Sequence, residues 1–179
     1  MTEKKLDCVI LGLLSHEELT GYEIKRRIDN SLSYFWGASY GSIYPTLNSL
    51  VNDGLAEKRS DEQSARNKQI YNITEKGREH LKKWLSEPVQ RDELRYETLL
   101  KLFFGNEAGP KITSEHINAF MEKVEKSLEE LKIIRENLND HINEDTSHRY
   151  YMMTVEFGIC TYEAYLKFCK EAVSKLGDM

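Results

Sequence analysis

The hydrophobic residues near the amino terminus recur at intervals of three and four, which is typical of helices with one buried face. The leucines, valine and isoleucine of residues 6–14 predict a first helix. Thr20 followed by Glu23 has the spacing of a capping box and predicts a second helix that ends near Ser33. Its predicted inward residues are Tyr22, Ile24 and Ile28, and its predicted exposed residues are Lys25, Arg26 and Arg27.

A third helix is predicted to begin near Ser42, because the apolar residues that follow then share one face. This start is compatible with Pro45, since a proline in the first turn removes no hydrogen bond within the helix. Gly54 follows at the position of a left-handed helix end. The inward face is predicted to consist of Ile43, Leu47, Leu50 and Val51.

Two strand-like runs come next, at residues 55–60 and 69–73, on either side of a polar tip. Thr74 then predicts the cap of a fourth helix that stops near Pro88. Three helices, two strands and a further helix in this order predict a winged helix-turn-helix with a two-stranded wing. We assign residues 1–88 to this domain and expect it to bind DNA.

The remaining residues, 89–179, show a wholly helical pattern. An apolar segment ends at Gly105, and two long heptad-like stripes, over residues 117–142 and 152–176, flank a polar turn. The fold class is therefore mainly α (α+β), with a C-terminal helical dimerisation domain. Because one hairpin does not bury both stripes well, a second copy of the chain is predicted to cover the last helix. The residues predicted to form the homodimer are Met152, Val155, Ile159, Tyr162, Leu166, Cys169 and Val173.

Composition places the protein in the reducing cytoplasm and away from membranes. The chain has 40% hydrophobic residues, three cysteines without C-x-x-C spacing, and no apolar run long enough for a membrane span. Neither metal-binding spacing nor a nucleotide-binding glycine loop occurs, and no set of catalytic residues can be assembled. We therefore expect no metal, no cofactor and no enzymatic activity.

The net charge of −5 argues at first against nucleic acid as a partner, because duplex binding depends on cations that neutralise phosphates. The charge is unevenly distributed, however. Residues 1–87 contain 13 Lys and Arg against 13 Asp and Glu, whereas residues 88–179 contain 12 against 17. A basic face in the first half is therefore compatible with the acidic average.

Five motifs in order resemble the PadR family of bacterial transcriptional regulators, in the branch with a long C-terminal domain. They are Gly21-Tyr22-Glu23-Ile24, Gly41-Ser42-Ile43-Tyr44-Pro45-Thr46-Leu47, Asn52-Asp53-Gly54-Leu55, Tyr71-Asn72-Ile73-Thr74-Glu75-Lys76-Gly77 and Lys101-Leu102-Phe103-Phe104-Gly105. The resemblance covers nearly the whole chain and implies a winged helix, a helical dimerisation domain and repression of a nearby operon. It also implies, for many members, release by a small aromatic or toxic compound.

The start of the third helix is the predicted contact with double-stranded operator DNA, because small residues there let backbone N–H groups approach a phosphate. Asn48 is the best candidate to pair with a base edge, since its amide matches adenine. Tyr44 is expected to contact DNA, with packing against the wing as the alternative. Arg66 is expected to contact the backbone or minor groove, with a solvated loop as the alternative. The predicted DNA-binding residues are Lys25, Ser39, Tyr40, Gly41, Ser42, Tyr44, Pro45, Asn48, Arg66 and Lys68.

A small-molecule effector is expected near the junction of the two domains, where aromatic residues and cations suit a flat anionic compound. The same residues would serve as interdomain packing. The candidates are Trp36, Trp84, Arg91, Arg95 and Tyr96. The alternative to a ligand-responsive repressor is a protein-interaction module whose winged helix has lost DNA binding.

Overall fold

The computed structural model of the chain describes residues 5–60, 68–89 and 96–178. The chain divides into two compact units, Met1–Asp92 and Glu93–Met179. The first combines helices with a small sheet, and the described part of the second is helical. The predicted fold class, a winged helix followed by a helical unit, is confirmed.

The first unit has the element order of a winged helix, with one more strand than predicted. Its elements are α1 (Lys5–Leu14), β1 (Leu19–Thr20), α2 (Gly21–Ser31), α3 (Tyr40–Asn52), β2 (Ala56–Ser60), β3 (Gln69–Ile73) and α4 (Glu75–Ser86). Strand β1 pairs antiparallel with β3, and β3 pairs with β2, which makes a sheet of order β1-β3-β2. The predicted two-stranded wing, β2 with β3, is confirmed. Strand β1 extends it to a three-stranded sheet and was not predicted, because a two-residue strand is too short to show an alternating pattern.

The core of the first unit lies where the first three helices meet the sheet. It consists of Ile10, Leu11, Leu14, Leu19, Ile24, Ile28, Ile43, Leu47, Leu50, Leu55, Ala56, Tyr71 and Ile73. Complete burial of one aliphatic side chain contributes about 1.5–3 kcal/mol, whereas an exposed ion pair contributes about 1 kcal/mol or less. The buried faces of α2 and α3 therefore fix which residues those helices expose.

The capping box at the start of α2 is confirmed. The Thr20 hydroxyl accepts the N–H of Glu23 at 3.2 Å, and the Glu23 carboxylate accepts the N–H of Thr20 at 2.8 Å. The hydrogen bonds from the backbone and side chain of Thr20 hold the pKa of the Glu23 carboxyl below its ordinary value.

The prediction that Tyr22 points inward is wrong. Its side chain is 60% exposed, whereas Ile24 and Ile28 are fully buried. Successive residues of an α-helix are rotated by about 100°, so Tyr22 lies roughly 200° from Ile24 and on the opposite side of α2.

Helix α3 begins at Tyr40, two residues before the predicted start, with Ser39 as its N-cap. Pro45 therefore lies in the second turn, and the carbonyl of Gly41 has no proline N–H to accept. Both residues are on the exposed side of the helix, where solvent can take the place of the missing donor. The helix consequently continues through the proline.

The end of α3 is attached to the start of α4. Gly54 has a φ of 70°, as predicted for a left-handed helix end, and the N–H of Leu55 donates to the carbonyl of Leu50 at 2.8 Å. The Thr74 hydroxyl, which caps α4, also donates to the carbonyl of Gly54 at 2.8 Å. A Cβ atom on Gly77 would lie 2.1 Å from the carbonyl oxygen of Leu55, so only glycine fits there.

The second unit is built around two long helices. Its elements are α5 (Glu97–Phe103), a short 3-10 helix (Gly105–Glu107), α6 (Pro110–Asp140) and α7 (Thr146–Gly177). Helices α6 and α7 pack against each other, and Lys132 forms an ion pair with Glu163 across them at 3.7 Å. The described segments contain no helix with the length and hydrophobicity of a membrane crossing.

The predicted dimerisation stripe of α7 needs correction. We expected it to lack a partner within one chain, but Val155, Ile159 and Cys169 are buried inside their own unit. Cys169 belongs to a cluster with Ile117 of α6. The other predicted residues, Met152, Tyr162, Leu166 and Val173, are half-buried. The hairpin buries three of the seven residues and partly covers the other four, because α6 supplies a matching apolar face.

Candidate nucleic-acid interface

Helix α3 presents one exposed face that carries five of the predicted DNA-binding residues. Ile43, Leu47 and Leu50 on its other side are fully buried. The predicted contacts that are exposed on this face are Tyr40, Gly41, Tyr44, Pro45 and Asn48. None of them is charged, so this face offers hydrogen bonds, aromatic surface and an amide. An exposed amide of this kind has the donor and acceptor needed to pair with an adenine edge.

Hydrogen bonds between Ser39 and Ser42 hold the first turn of α3. The Ser42 hydroxyl donates to the carbonyl of Ser39 at 2.8 Å and accepts the N–H of Ser39 at 3.2 Å. The N–H groups of Tyr40 and Gly41, in the first turn, have no acceptor within the described part of the chain. They therefore remain available to an anion, and the helix dipole favours one at this position.

The two tyrosines of this face lie against α2. Their rings stack with centroids 6.4 Å apart and planes inclined by 20°. The ring of Tyr44 passes over Gly21, where a Cβ atom would approach its Cε1 to 2.6 Å. The Lys25 ammonium lies 5.6 Å from the centroid of the Tyr40 ring and forms an ion pair with Asp29. Lys25, predicted to meet the DNA backbone, has a side chain that is only 18% exposed.

The other cations of the first unit differ in whether an acidic residue pairs with them. Lys68 is exposed at the start of β3, close enough to Glu23 for its charge to help lower the pKa of that carboxyl, after the larger effect of hydrogen bonds from Thr20. Arg27 and Arg59 form ion pairs with Glu17 and Glu18. Arg66 lies outside the described residues.

Tyr22 and Arg26 are exposed residues of α2 that we did not include among the contacts. They are four positions apart and share a face of the helix. Their position follows from helical spacing once Ile24 and Ile28 are placed inward. The signal was therefore present in the sequence.

Two family models together match most of the chain. The Transcriptional regulator PadR-like family matches residues 10–83, and Virulence activator alpha C-term matches residues 94–177. The chain belongs to the PadR-like family of transcriptional regulators. The resemblance inferred from the five motifs is thereby confirmed.

Individual PadR-like proteins extend the similarity. The negative transcriptional regulator PadR of Bacillus subtilis is 34% identical over 102 residues, which cover 55% of this chain and 56% of that protein. The chain spans about half the length of the curated relatives it matches.

Solved structures match over a longer range. One from Streptococcus mutans is 32% identical with a TM-score of 0.83 and covers 94% of this chain and 98% of the other. A PadR-like regulator from Bacillus cereus is 28% identical with a TM-score of 0.80, covering 96% and 98%. Both matches therefore extend through the two units of the chain.

The predicted effector residues of this PadR-like chain fall in both units. Trp36 and Trp84 are half-buried in the first unit. Tyr96 belongs to the second, where its hydroxyl is hydrogen-bonded to that of Tyr165. Burial and this hydrogen bond raise the pKa of Tyr96 well above its ordinary value. Arg91 and Arg95 lie outside the described residues.

A second apolar stripe runs along α7, on the side opposite its buried face. Tyr150, Met153 and Phe157 are 64%, 56% and 68% exposed. Cys160 and Phe168 continue the stripe and are also exposed. The spacings of three, four, three and eight residues place all five on one face, which α6 does not cover.

Proposed function

We propose that the protein is a transcriptional regulator that binds operator DNA as a homodimer through the exposed face of α3. One observation carries this proposal. Helix α3 of the winged helix buries one face completely and exposes an uncharged face on its opposite side. A face of this kind fits a major groove, where side chains meet base edges.

The proposed contacts divide between bases and phosphates. Asn48 is assigned to an adenine edge, and Tyr44 to the groove beside it. The α3 face has no lysine or arginine, so the cations that neutralise phosphates must come from other elements. Arg26 and Lys68 are exposed candidates among the described residues, and Arg66 remains a predicted one.

Dimerisation is assigned to the exposed stripe of α7 in place of the stripe first predicted. Large exposed apolar side chains that share one helix face are typical of protein interfaces. Self-pairing of a helix face is compatible with two-fold symmetry, which a pair of operator half-sites requires. Two copies of α3 must then lie about 34 Å apart to enter successive major grooves.

Repression with release by a small aromatic compound is the proposed mode of regulation. The Bacillus subtilis relative is a negative regulator, and its structures include complexes with operator DNA and with p-coumaric acid. We propose that the present chain also represses transcription and is released by an aromatic compound. Trp36, Trp84, Arg91, Arg95 and Tyr96 remain the residues proposed for the effector. A regulator of this kind acts on the chromosome in the cytoplasm, and its function needs no catalysis.

The experiment is titration of the protein with duplexes from the region upstream of its own gene. Fluorescence anisotropy at two salt concentrations should show binding that weakens steeply with salt, because counterions are released. Sedimentation should give two chains for each bound duplex. Binding to none of these duplexes, together with none selected from a random library, would contradict the proposal and favour the interaction module.

Effector release is tested separately, on the protein–DNA complex. A panel of aromatic acids should quench Trp fluorescence and release the duplex at the same concentrations. Trp36→Ala and Trp84→Ala should lose both responses together. Release that these variants and Arg95→Ala leave unchanged would place the effector elsewhere.

A further inference from the structure

Two residues of α2, Gly21 and Lys25, face the two tyrosines of α3, and Asp29 pairs with Lys25 one turn further along α2. Gly21, Lys25 and Asp29 lie along one stripe of α2. Gly21 leaves room for the ring of Tyr44, and Lys25 lies over the ring of Tyr40. The stripe therefore supports the side of the DNA-binding face that is directed toward α2.

The charge of Lys25 is paired within the chain. Its ammonium pairs with both carboxylate oxygens of Asp29 and lies 5.6 Å from the Tyr40 ring centroid. A lysine that contacts phosphate needs its ammonium in solvent, yet this side chain is 18% exposed. A carboxylate beside a phosphate would also repel it. Both observations oppose a role for Lys25 as a phosphate contact.

We propose that Asp29 and Lys25 are positioning residues that orient Tyr40 and, through the stacked rings, Tyr44 for operator recognition. Asp29 holds the ammonium over the Tyr40 ring, where the negative face of the aromatic system attracts it. The stack then transmits this orientation to Tyr44, whose other side is limited by Gly21. This inference rests on the proposed function. It gives the Lys25–Asp29 ion pair a role in the specificity of operator binding.

The two roles predict opposite signs for one substitution. If Lys25 is a positioning residue, Asp29→Asn releases the ammonium from the ring and weakens binding to the operator. If Lys25 contacts phosphate, the same substitution frees a cation and removes a repulsive charge, so binding becomes tighter on any DNA. Lys25→Met keeps the aliphatic chain, removes the charge and provides a second variant.

The experiment measures anisotropy of the full chain with an operator-containing duplex and with an unrelated duplex over a range of salt. Asp29→Asn and Lys25→Met should each weaken operator binding about fivefold or more. A cation–π contact accounts for roughly two- to fivefold at each half-site, and a dimer has two. Binding to unrelated DNA should change less than about twofold, and the salt slope should stay within about half a unit. Lys25→Arg keeps the positive charge and should bind the operator as the unaltered chain does.

Glu17→Gln is the matched control, because Glu17 is also an exposed acid paired with a cation of α2. Its partner, Arg27, lies about 200° around the helix from Lys25. It should leave operator binding unchanged within about twofold. Tighter binding by Asp29→Asn on both duplexes would overturn the proposal. A salt slope reduced by about one in Lys25→Met would do so as well, as would unchanged operator binding by both variants. If the unaltered chain binds no DNA at all, the proposed function itself fails.

Discussion

Helices α3 and α7 differ in how many of their faces are apolar. Helix α3 buries Ile43, Leu47 and Leu50 and exposes an uncharged polar and aromatic face. Helix α7 buries Val155 and Ile159 but exposes a second apolar row on its opposite side. A helix with one apolar face can be assigned from its pattern, whereas a helix with two requires knowledge of which face its own chain covers.

The largest expected effect comes from charging the exposed row of α7. Phe157→Glu places a carboxylate in the middle of the proposed dimer interface, where burial without a partner is costly. We expect the chain to become monomeric in sedimentation and its operator affinity to fall by orders of magnitude, because one chain contacts one half-site. Ile133→Glu, at an exposed apolar position of α6, is the control and should remain dimeric.

Val155→Ala tests the buried face of α7 independently of the exposed face. This truncation of a buried side chain should cost about 1–3 kcal/mol of unfolding free energy while the dimer is retained. Dissociation of the dimer by Val155→Ala and not by Phe157→Glu would restore the interface first predicted from the sequence.

Tyr44→Ala tests the face of α3. Its ring is 45% exposed and lies against Gly21, so its loss removes a proposed DNA contact with little loss of core. Operator affinity should fall about tenfold or more, since each half-site loses a contact in a groove. Arg66→Ala should have a smaller effect and reduce the salt slope by about one unit if it neutralises a phosphate. Normal binding by both variants would place the interface elsewhere.

Gly77→Ala tests the close contact between α4 and the segment that follows α3. The added methyl would collide with the backbone carbonyl of Leu55, so we expect a loss of about 1–3 kcal/mol in urea unfolding. Gly12→Ala is the matched control within α1, where a Cβ atom meets nothing within 4 Å. It should raise stability by up to about 1 kcal/mol, because alanine favours helix. Equal effects of the two substitutions would disprove the close contact at Gly77.

The smallest expected effect concerns the capping box of α2. The pKa of Glu23 is lowered in the folded chain, so its contribution to stability is present above the unfolded pKa and is lost as pH falls through the folded value. Glu23→Ala should cost about 0.5–1 kcal/mol near neutral pH. The melting temperatures of the variant and the unaltered chain should converge as pH falls through the folded pKa of Glu23, which lies below the ordinary glutamate value. A difference that persists at lower pH would assign the effect to another cause.

Local signals predicted much of the first unit. Thr20 with Glu23, Gly54, and Thr74 each specify a helix end through hydrogen bonds within a few residues, and all three are confirmed. Strand β1 was missed because it is defined by pairing with β3, some fifty residues away. The early start of α3 was missed because proline in a second turn is unfavourable by itself, and the buried face that offsets this cost is tertiary.

The errors on side-chain direction have different origins. Tyr22 was placed inward although its angle to Ile24 excludes a shared face, so the sequence contained the information. The interface of α7 required the packing of α6, because Val155 and Phe157 have the same apolar chemistry and differ in which one the chain covers. The Lys25 and Asp29 pair on α2 is a common i, i+4 pattern, and its relation to Tyr40 depends on how α2 crosses α3.

The attachment between the end of α3 and the start of α4 has a mechanical consequence. The Lys76 ammonium donates to the carbonyl of Asp53 at 2.7 Å, and the N–H of Thr74 donates to that of Leu55 at 3.1 Å. Because these bonds join the two helix ends directly, we expect a displacement at the start of α4 to be passed to the end of α3. Helix α4 has 12 residues and is about 18 Å long. A tilt of about 10° about its first turn would displace its far end by about 3 Å over that length.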